Sequence, residues 1–238
     1  MTDPPSEARS APNLFEEMNA QIGVLSSLVE QMSSIPHVKQ AAAEIKVGID
    51  SLKLAMFYLG EAGRCISVQA YFSAAVAGAA ALESMLLAKC AMSKEQVINL
   101  PGFMRLPRSA TRDYAVFLCS QDLGKLLAIA EKLGWLSVIG VPVIFERLLL
   151  DLLEPSAADG MKELILRMGN IGEQAAKYGK LYRDRLHPAK CVREGVDPEQ
   201  DLGLAGVAFI MLAFSALVES SQNSRAAVLH GSSYPSSR

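Results

Sequence analysis

Two long apolar segments constrain the fold of this chain most strongly. They are AYFSAAVAGAAALESMLLAKC at 70–90 and LGLAGVAFIMLAFSALV at 202–218. Both are rich in alanine, the first contains Glu83, and neither has the basic flank or the aromatic belt of a membrane span. The second has about 17 residues, which is close to the shortest length that crosses a bilayer. We therefore expect two buried helices of a helical bundle and no membrane partner; a membrane-associated helical protein is the alternative.

Apolar residues recur at helical spacing along most of the chain, and no segment alternates as a strand would. The expected fold class is therefore all-α, a helical bundle with an extra N-terminal helix. The spacing predicts helices at 14–35, 38–59, 67–92, 93–100, 111–134, 141–154 and 159–186. Gly60 and Gly63 are expected to form a turn, Asp159 to cap a helix, and Asp197 to open the last one.

These elements divide the chain into four parts. The bundle occupies 37–220 and the N-terminal helix 13–36. The ends, 1–12 and 221–238, are rich in serine, proline and small residues, so we expect them to be disordered. The first dozen residues contain no apolar segment of the kind found in a secretory signal, and we expect a cytoplasmic protein.

Composition excludes several classes of site. The net charge of −2 argues against a globally basic nucleic-acid binder, so a polyanion site would have to be local. The cysteines are far apart and have no histidine cluster nearby; they are Cys65, Cys90, Cys119 and Cys191. We expect reduced thiols, most of them in the core, and neither a metal nor a cofactor.

The stretch LYRDRLHPAK at 181–190 concentrates the chemistry of the chain. Between 177 and 193 six basic residues accompany a single acid, Asp184. In a helix that reaches residue 187, Lys180, Arg183 and His187 share one face, and Pro188 puts His187 at the frayed end or just outside the last turn. Basic residues in the last turn and a following proline are also common at any helix end, so this structural interpretation stays open.

The run from Tyr182 to Pro188 resembles the "LRN-x-IHP" signature of the HEPN superfamily of α-helical domains. The Ala-rich segment at 71–90 with its Leu82-Glu83 pair, and LGKLLAIAEKLGWL at 123–136, also resemble parts of that family. Many members are metal-independent endoribonucleases, and others bind RNA or nucleotides without cleaving them. The resemblance implies an RNA-directed protein, a homodimer, a role in a defence or toxin–antitoxin system, and an antitoxin or other protein partner.

Carried over to this sequence, the resemblance assigns roles to individual residues. Arg183 would neutralise the scissile phosphate, Asp184 would position neighbouring groups, and His187 would act as general acid and base. The neighbouring residues expected to bind the substrate are Lys180, Tyr182, Arg185 and Lys190. The motif departs from the usual one because Asp replaces Asn at 184 and only three residues separate Arg183 from His187. A non-catalytic helical interaction or nucleotide-binding module is therefore the alternative.

Other candidates are weaker. Arg105, Arg108 and Arg112 could bind phosphate, although a solvated basic loop is the simpler interpretation. His37 has no acidic or cysteine partner in the sequence, and His230 belongs to the expected tail. Glu83 could pair with Arg183 and so connect two of the family-like segments.

Overall fold

The computed structural model describes residues 11–101, 114–137, 141–142, 145–146, 155–167, 170–185 and 204–230; for some of these, including 11–18, 182–185 and 220–230, only the backbone is described. Of the described part, 86% is helical and none is strand, which confirms the all-α class. Its helices are α1 Ala11–Ser33, α2 Lys39–Ser67, α3 Tyr71–Met92, α4 Lys94–Ile98, α5 Tyr114–Cys119, α6 Leu123–Lys132, α7 Pro155–Leu166, α8 Ile171–Arg185 and α9 Leu204–His230.

The antiparallel hairpin of α2 and α3 is the centre of the fold. Small residues allow the two helices to approach closely: a Cβ atom at Gly48 would lie 3.4 Å from that of Ala91. The turn expected at Gly60 and Gly63 is wrong, because α2 continues through both glycines to Ser67. The chain reverses immediately after α2 instead, where Gln69 adopts a φ of 60°.

The main core lies on the other side of α3, where α5, α6, α8 and α9 cover it. Its fully buried side chains include Leu82, Leu86, Leu126 and Leu217. Each such side chain contributes about 1.5–3 kcal/mol to stability through its removal from water. By length and composition, Tyr71–Met92 is the one described helix that could cross a membrane, and 56% of its apolar window is buried inside the protein.

The N-terminal helix packs on the outside of this bundle. Ile22 and Val29 of α1 form a small separate cluster with Ala42, Ile49 and Met56 of α2. Because Ile22 and Val29 are seven residues apart, one narrow stripe of α1 makes the contact. α1 therefore has two flanks beside this stripe.

Several helix boundaries differ from the expected ones. The helix expected at 111–134 is divided, because the Asp122 side chain accepts a hydrogen bond from the Lys125 N–H and caps a new helix, α6. Asp159 is no cap, since Pro155 takes the favoured first position of α7. The helix expected at 159–186 is interrupted between Leu166 and Ile171.

The tail expected to be disordered from 221 is helical as far as His230. No proline or glycine occurs between 207 and 230, and Gly231 is the first residue that favours a helix end, so the last helix can propagate that far. The expected start at Asp197 lies outside the described residues, as do 1–10 and 231–238.

Of the cysteines, Cys65, Cys90 and Cys119 are free thiols, as expected. Cys90 is buried in the core and Cys65 is half-buried, whereas Cys119 is exposed and is therefore no core residue. Cys191 lies outside the described residues.

Candidate functional site

The motif at 182–188 begins in the last turn of α8. The backbone of Tyr182, Arg183, Asp184 and Arg185 is helical there, and their side chains lie outside the described part. His187 and Lys190 also lie outside the described residues, so the expected pairing of Arg183 with His187 stays a prediction. Lys180 is described in full and gives the surroundings of the motif.

Close contacts fix α8 against its neighbours. A Cβ atom at Gly172 would overlap the carbonyl oxygen of Leu136, and a Cβ at Gly179 would lie 3.1 Å from Ile210. Tyr178 stacks on Phe209 of α9, with ring centroids 4.8 Å apart. Backbone packing at two glycines together with this stacked pair holds the helix in a defined orientation.

Lys180 connects α8 to the start of α6. A Cβ atom at Gly124 would lie 2.8 Å from Lys180 Cε and 3.2 Å from Asp122 Oδ1. The absence of a side chain at Gly124 therefore leaves the space that Lys180 occupies. This contact brings the end of α8 beside the first turn of α6, two segments on which the family resemblance depends.

The helical backbone of α8 also shows on which side of the helix Arg183 and Asp184 lie. Arg183 follows Ala176 by seven residues, nearly two turns, so their Cα atoms lie on the same side of α8. Ala176 is buried, and Lys180, on an adjacent side, contacts Gly124. Asp184 follows Lys180 by one turn. The Cα atoms of the two motif residues therefore lie on the side of the helix that faces the bundle and α6.

Charged side chains line the boundary between α6 and α8, which we call the α6/α8 edge and define by Lys125, Lys177 and Lys180. The Lys177 ammonium lies 3.2 Å from Glu131 Oε1, and the Lys125 ammonium lies 3.9 Å from Asp122 Oδ2. The Asp122 carboxylate, which caps the first turn of α6, lies at the same end of the edge as the Lys180 side chain. An anionic ligand at this end would therefore meet the Lys180 ammonium beside the Asp122 carboxylate.

A second group of polar side chains surrounds the end of α3, and the sequence alone did not single it out. The Lys89 ammonium lies 5.0 Å from the centroid of the Trp135 ring. Burial lowers the pKa of Lys89 to about 8, because the charged form is desolvated. The available signal was a lysine at the end of a long apolar helix, but its position beside Trp135 is a tertiary contact.

Near Lys89, burial raises the pKa of the Cys90 thiol to about 12, so this thiol is not a nucleophile at neutral pH. The Tyr114 hydroxyl donates a 2.8 Å hydrogen bond to the Cys90 carbonyl oxygen, and burial also raises the pKa of Tyr114. Lys94 forms a 2.6 Å ion pair with Glu44 and lies 5.5 Å from the centroid of the Tyr114 ring. These contacts join α2, α3, α4 and α5 and are structural.

The structure describes only some of the other candidate residues. Among the described residues no three His, Cys, Asp or Glu side chains converge as metal ligands. Glu83 is half-buried, and its proposed pairing with Arg183 involves a side chain outside the described part. Also outside it are Arg105, Arg108, Arg112 and the side chains of His37 and His230.

No protein-family model, no curated protein and no solved structure matches this chain. The resemblance to the HEPN superfamily therefore rests on the sequence motifs.

Proposed function

We propose that this chain is a HEPN-like, RNA-directed protein that holds a phosphodiester at the end of α8. The observation that carries the proposal is the contact between Lys180 and Gly124. It brings α8, in whose last turn the Arg-Asp-x-x-His-Pro motif begins, beside the start of α6, where the Lys180 ammonium adds positive charge next to the helix end that Asp122 caps.

RNA is the polyanion that this arrangement suits best. The chain as a whole is net acidic, so attraction to a nucleic acid depends on a local basic surface, and the sequence concentrates six basic residues between 177 and 193. Lysine and arginine contacts to phosphates release counterions, and the affinity of such a surface falls steeply as salt rises. A phosphate-binding edge of this kind positions RNA without reading its sequence.

The proposed reaction needs no metal. The His187 imidazole takes the proton of a ribose 2′-hydroxyl, whose oxygen attacks the adjacent phosphorus. A 2′,3′-cyclic phosphate forms, and the 5′-oxygen of the next nucleotide leaves with the proton that the His187 imidazolium returns. The Arg183 guanidinium neutralises the developing charge on the phosphoryl oxygens, and Asp184 orients the neighbouring groups. Tyr182, Arg185 and Lys190 extend the surface that binds RNA.

In its biological setting, we propose a cytoplasmic ribonuclease of a defence or toxin–antitoxin system with a neutralising protein partner. Uncontrolled cleavage of RNA would harm the cell that makes the enzyme. A partner that covers the end of α8 would prevent it.

The direct test of catalysis is cleavage of total RNA by the purified protein in excess EDTA. We expect cleavage that is lost in His187→Ala and Arg183→Ala, with products that end in a cyclic phosphate. A DNA oligonucleotide of the same sequence as a cleaved RNA is the control, because it lacks the attacking hydroxyl and should stay intact. Cleavage that needs a divalent metal, or that persists in His187→Ala, would contradict the mechanism.

The second candidate function is a non-catalytic interaction or nucleotide-binding module. Two features of the sequence favour it: Asp184 stands where asparagine is frequent, and only three residues separate Arg183 from His187. RNA that binds at the α6/α8 edge but stays intact at high protein concentration would support this candidate and exclude the ribonuclease.

A further inference from the structure

An aromatic pair lies on the outer surface where α8 meets α9. The Tyr178 ring stacks on the Phe209 ring, with centroids 4.8 Å apart and an interplanar angle of 24°. Tyr178 nevertheless keeps 43% of its surface exposed, whereas Tyr114 in the core keeps 1%. Because Phe209 covers one face of the Tyr178 ring, the exposed part of that ring consists of its edge and its opposite face.

Phe209 also fixes the Tyr178 ring in place. A ring that is already ordered loses little further side-chain entropy when a ligand stacks on it. Leu181, 42% exposed, follows Tyr178 by three residues and adds apolar surface on the next turn of α8. We call the surface formed by Tyr178, Leu181 and Phe209 the aromatic platform. It offers a planar ligand a rigid and partly exposed aromatic face.

The aromatic platform lies beside the motif at the end of α8. The backbone is helical as far as Arg185, so Tyr182 and Arg185 follow Tyr178 on the same side of the helix, one and nearly two turns later. Arg183 lies about 7.5 Å further along the helix axis than Tyr178. A short stretch of single-stranded RNA spans such a distance, because these strands occupy sites of several nucleotides.

The charges around the platform suit a polyanion. The sequence of α9 contains no charged residue from 204 to 218, so its start presents no carboxylate to a phosphate. On α8, Lys177 directly precedes Tyr178, and its exposed ammonium also lies 3.2 Å from Glu131 Oε1. Exposed aromatic rings next to lysine side chains are the combination that binds single-stranded nucleic acids, since bases stack on the rings and phosphates meet the cations.

We propose that Tyr178 stacks on an unpaired base of the RNA that binds at the end of α8. A duplex already stacks each base between its neighbours, so the aromatic platform selects single-stranded RNA. Stacking on an aromatic ring tolerates every base, so this selection needs no particular sequence. The inference rests on the proposed function, but neither Tyr178 nor Phe209 belongs to the motif from which that function was inferred.

The test uses an oligouridine of about ten nucleotides that carries one central 2-aminopurine, whose fluorescence falls when the base stacks. Methylation of every 2′-oxygen blocks the attacking hydroxyl and keeps the probe intact. We expect the unchanged chain and Tyr178→Phe to quench the fluorescence. Tyr178→Leu should quench it little and bind the probe at least about fivefold more weakly. Its salt slope should stay the same, because Tyr178 contacts a base and not a phosphate.

Phe57→Leu is the matched control. Phe57 is 58% exposed and forms an aromatic pair with Tyr58 on α2, with ring centroids 5.4 Å apart. This variant should quench and bind the probe as the unchanged chain does. Circular dichroism separates loss of stacking from unfolding. If Tyr178→Leu does not fold, Tyr178→Met takes its place, because methionine keeps a favourable contact with the Phe209 ring.

Two results would overturn the inference alone and leave RNA binding at the end of α8 in place. The first is equal quenching and affinity for Tyr178→Leu and the unchanged chain while Lys180→Ala still weakens binding. The second is an affinity for duplex RNA that matches or exceeds the affinity for the single strand. An unchanged chain that does not bind the probe at all would overturn both this inference and the proposed function.

Discussion

Lys180 of α8 lies against Gly124 of α6, where its Cε atom would be 2.8 Å from a Cβ at position 124. The two residues belong to different helices, and their contact brings the basic end of α8 beside the start of α6, which Asp122 caps. A lysine side chain can move aside at little cost, whereas a backbone atom cannot. We therefore expect Gly124→Ala and Gly172→Ala to differ in their effect on the free energy of unfolding.

Gly124→Ala should leave the fold stable but displace Lys180. Alanine favours a helix over glycine by about 1 kcal/mol, which offsets the cost of moving one long side chain. We expect a free energy of unfolding within about 1 kcal/mol of the unchanged chain, and a several-fold weaker affinity for RNA. Urea denaturation and fluorescence anisotropy measure the two quantities; unchanged RNA affinity would mean that Lys180 takes no part in binding.

Gly172→Ala, the same substitution in α8, should be strongly destabilising. Its Cβ would overlap the Leu136 carbonyl oxygen and lie 2.9 Å from the Cβ of Ala216. Neither atom can move without a shift of the backbone, so we expect a loss of about 2–4 kcal/mol in urea denaturation. Gly160→Ala is the control, because a Cβ there meets nothing within 4 Å. Similar effects of the two substitutions would contradict the packing of α8.

The Lys89 ammonium should make stability depend on pH above neutrality. Its folded pKa, about 8, lies below its ordinary value of 10.5, so between these pH values the unfolded chain holds the proton that the folded chain has released. Stability therefore rises with pH in that window. Relative to Lys89→Met, the free energy of unfolding should rise by about 1–3 kcal/mol from pH 7.5 to pH 10.5. A constant difference between the two proteins would show that burial does not perturb Lys89.

Helical spacing was sufficient to predict the class of the fold and the α2/α3 hairpin, but not its turn. Glycine inside a helix costs only about 1 kcal/mol relative to alanine. Continuing α2 past Gly60 buries Ala62, and a Cβ at Gly63 would meet nothing. The actual turn contains Gln69 at positive φ. A glutamine in the sequence does not indicate this conformation, which is uncommon for residues other than glycine.

The candidate site shows a similar limit. Spacing along the helix groups Lys180 with Arg183, because residues three apart lie on adjacent turns. It could not reveal that Lys180 contacts Gly124, since these residues are far apart in the sequence and meet only when α6 and α8 pack. The low pKa of Lys89 was equally hidden, because it depends on burial beside Trp135.

The central claim is that RNA binds at the end of α8, and its most direct test is the affinity of the chain for single-stranded RNA at fixed salt. Fluorescence anisotropy should compare Lys180→Ala and Arg183→Ala with Lys53→Ala, a control at an exposed lysine of α2. We predict a dissociation constant at least about fivefold higher for each α8 variant, with a salt slope reduced by about one phosphate contact. Lys53→Ala should bind as the unchanged chain does. Equal affinities for all four proteins, or a weakening by Lys53→Ala as large as that by the α8 variants, would contradict the claim.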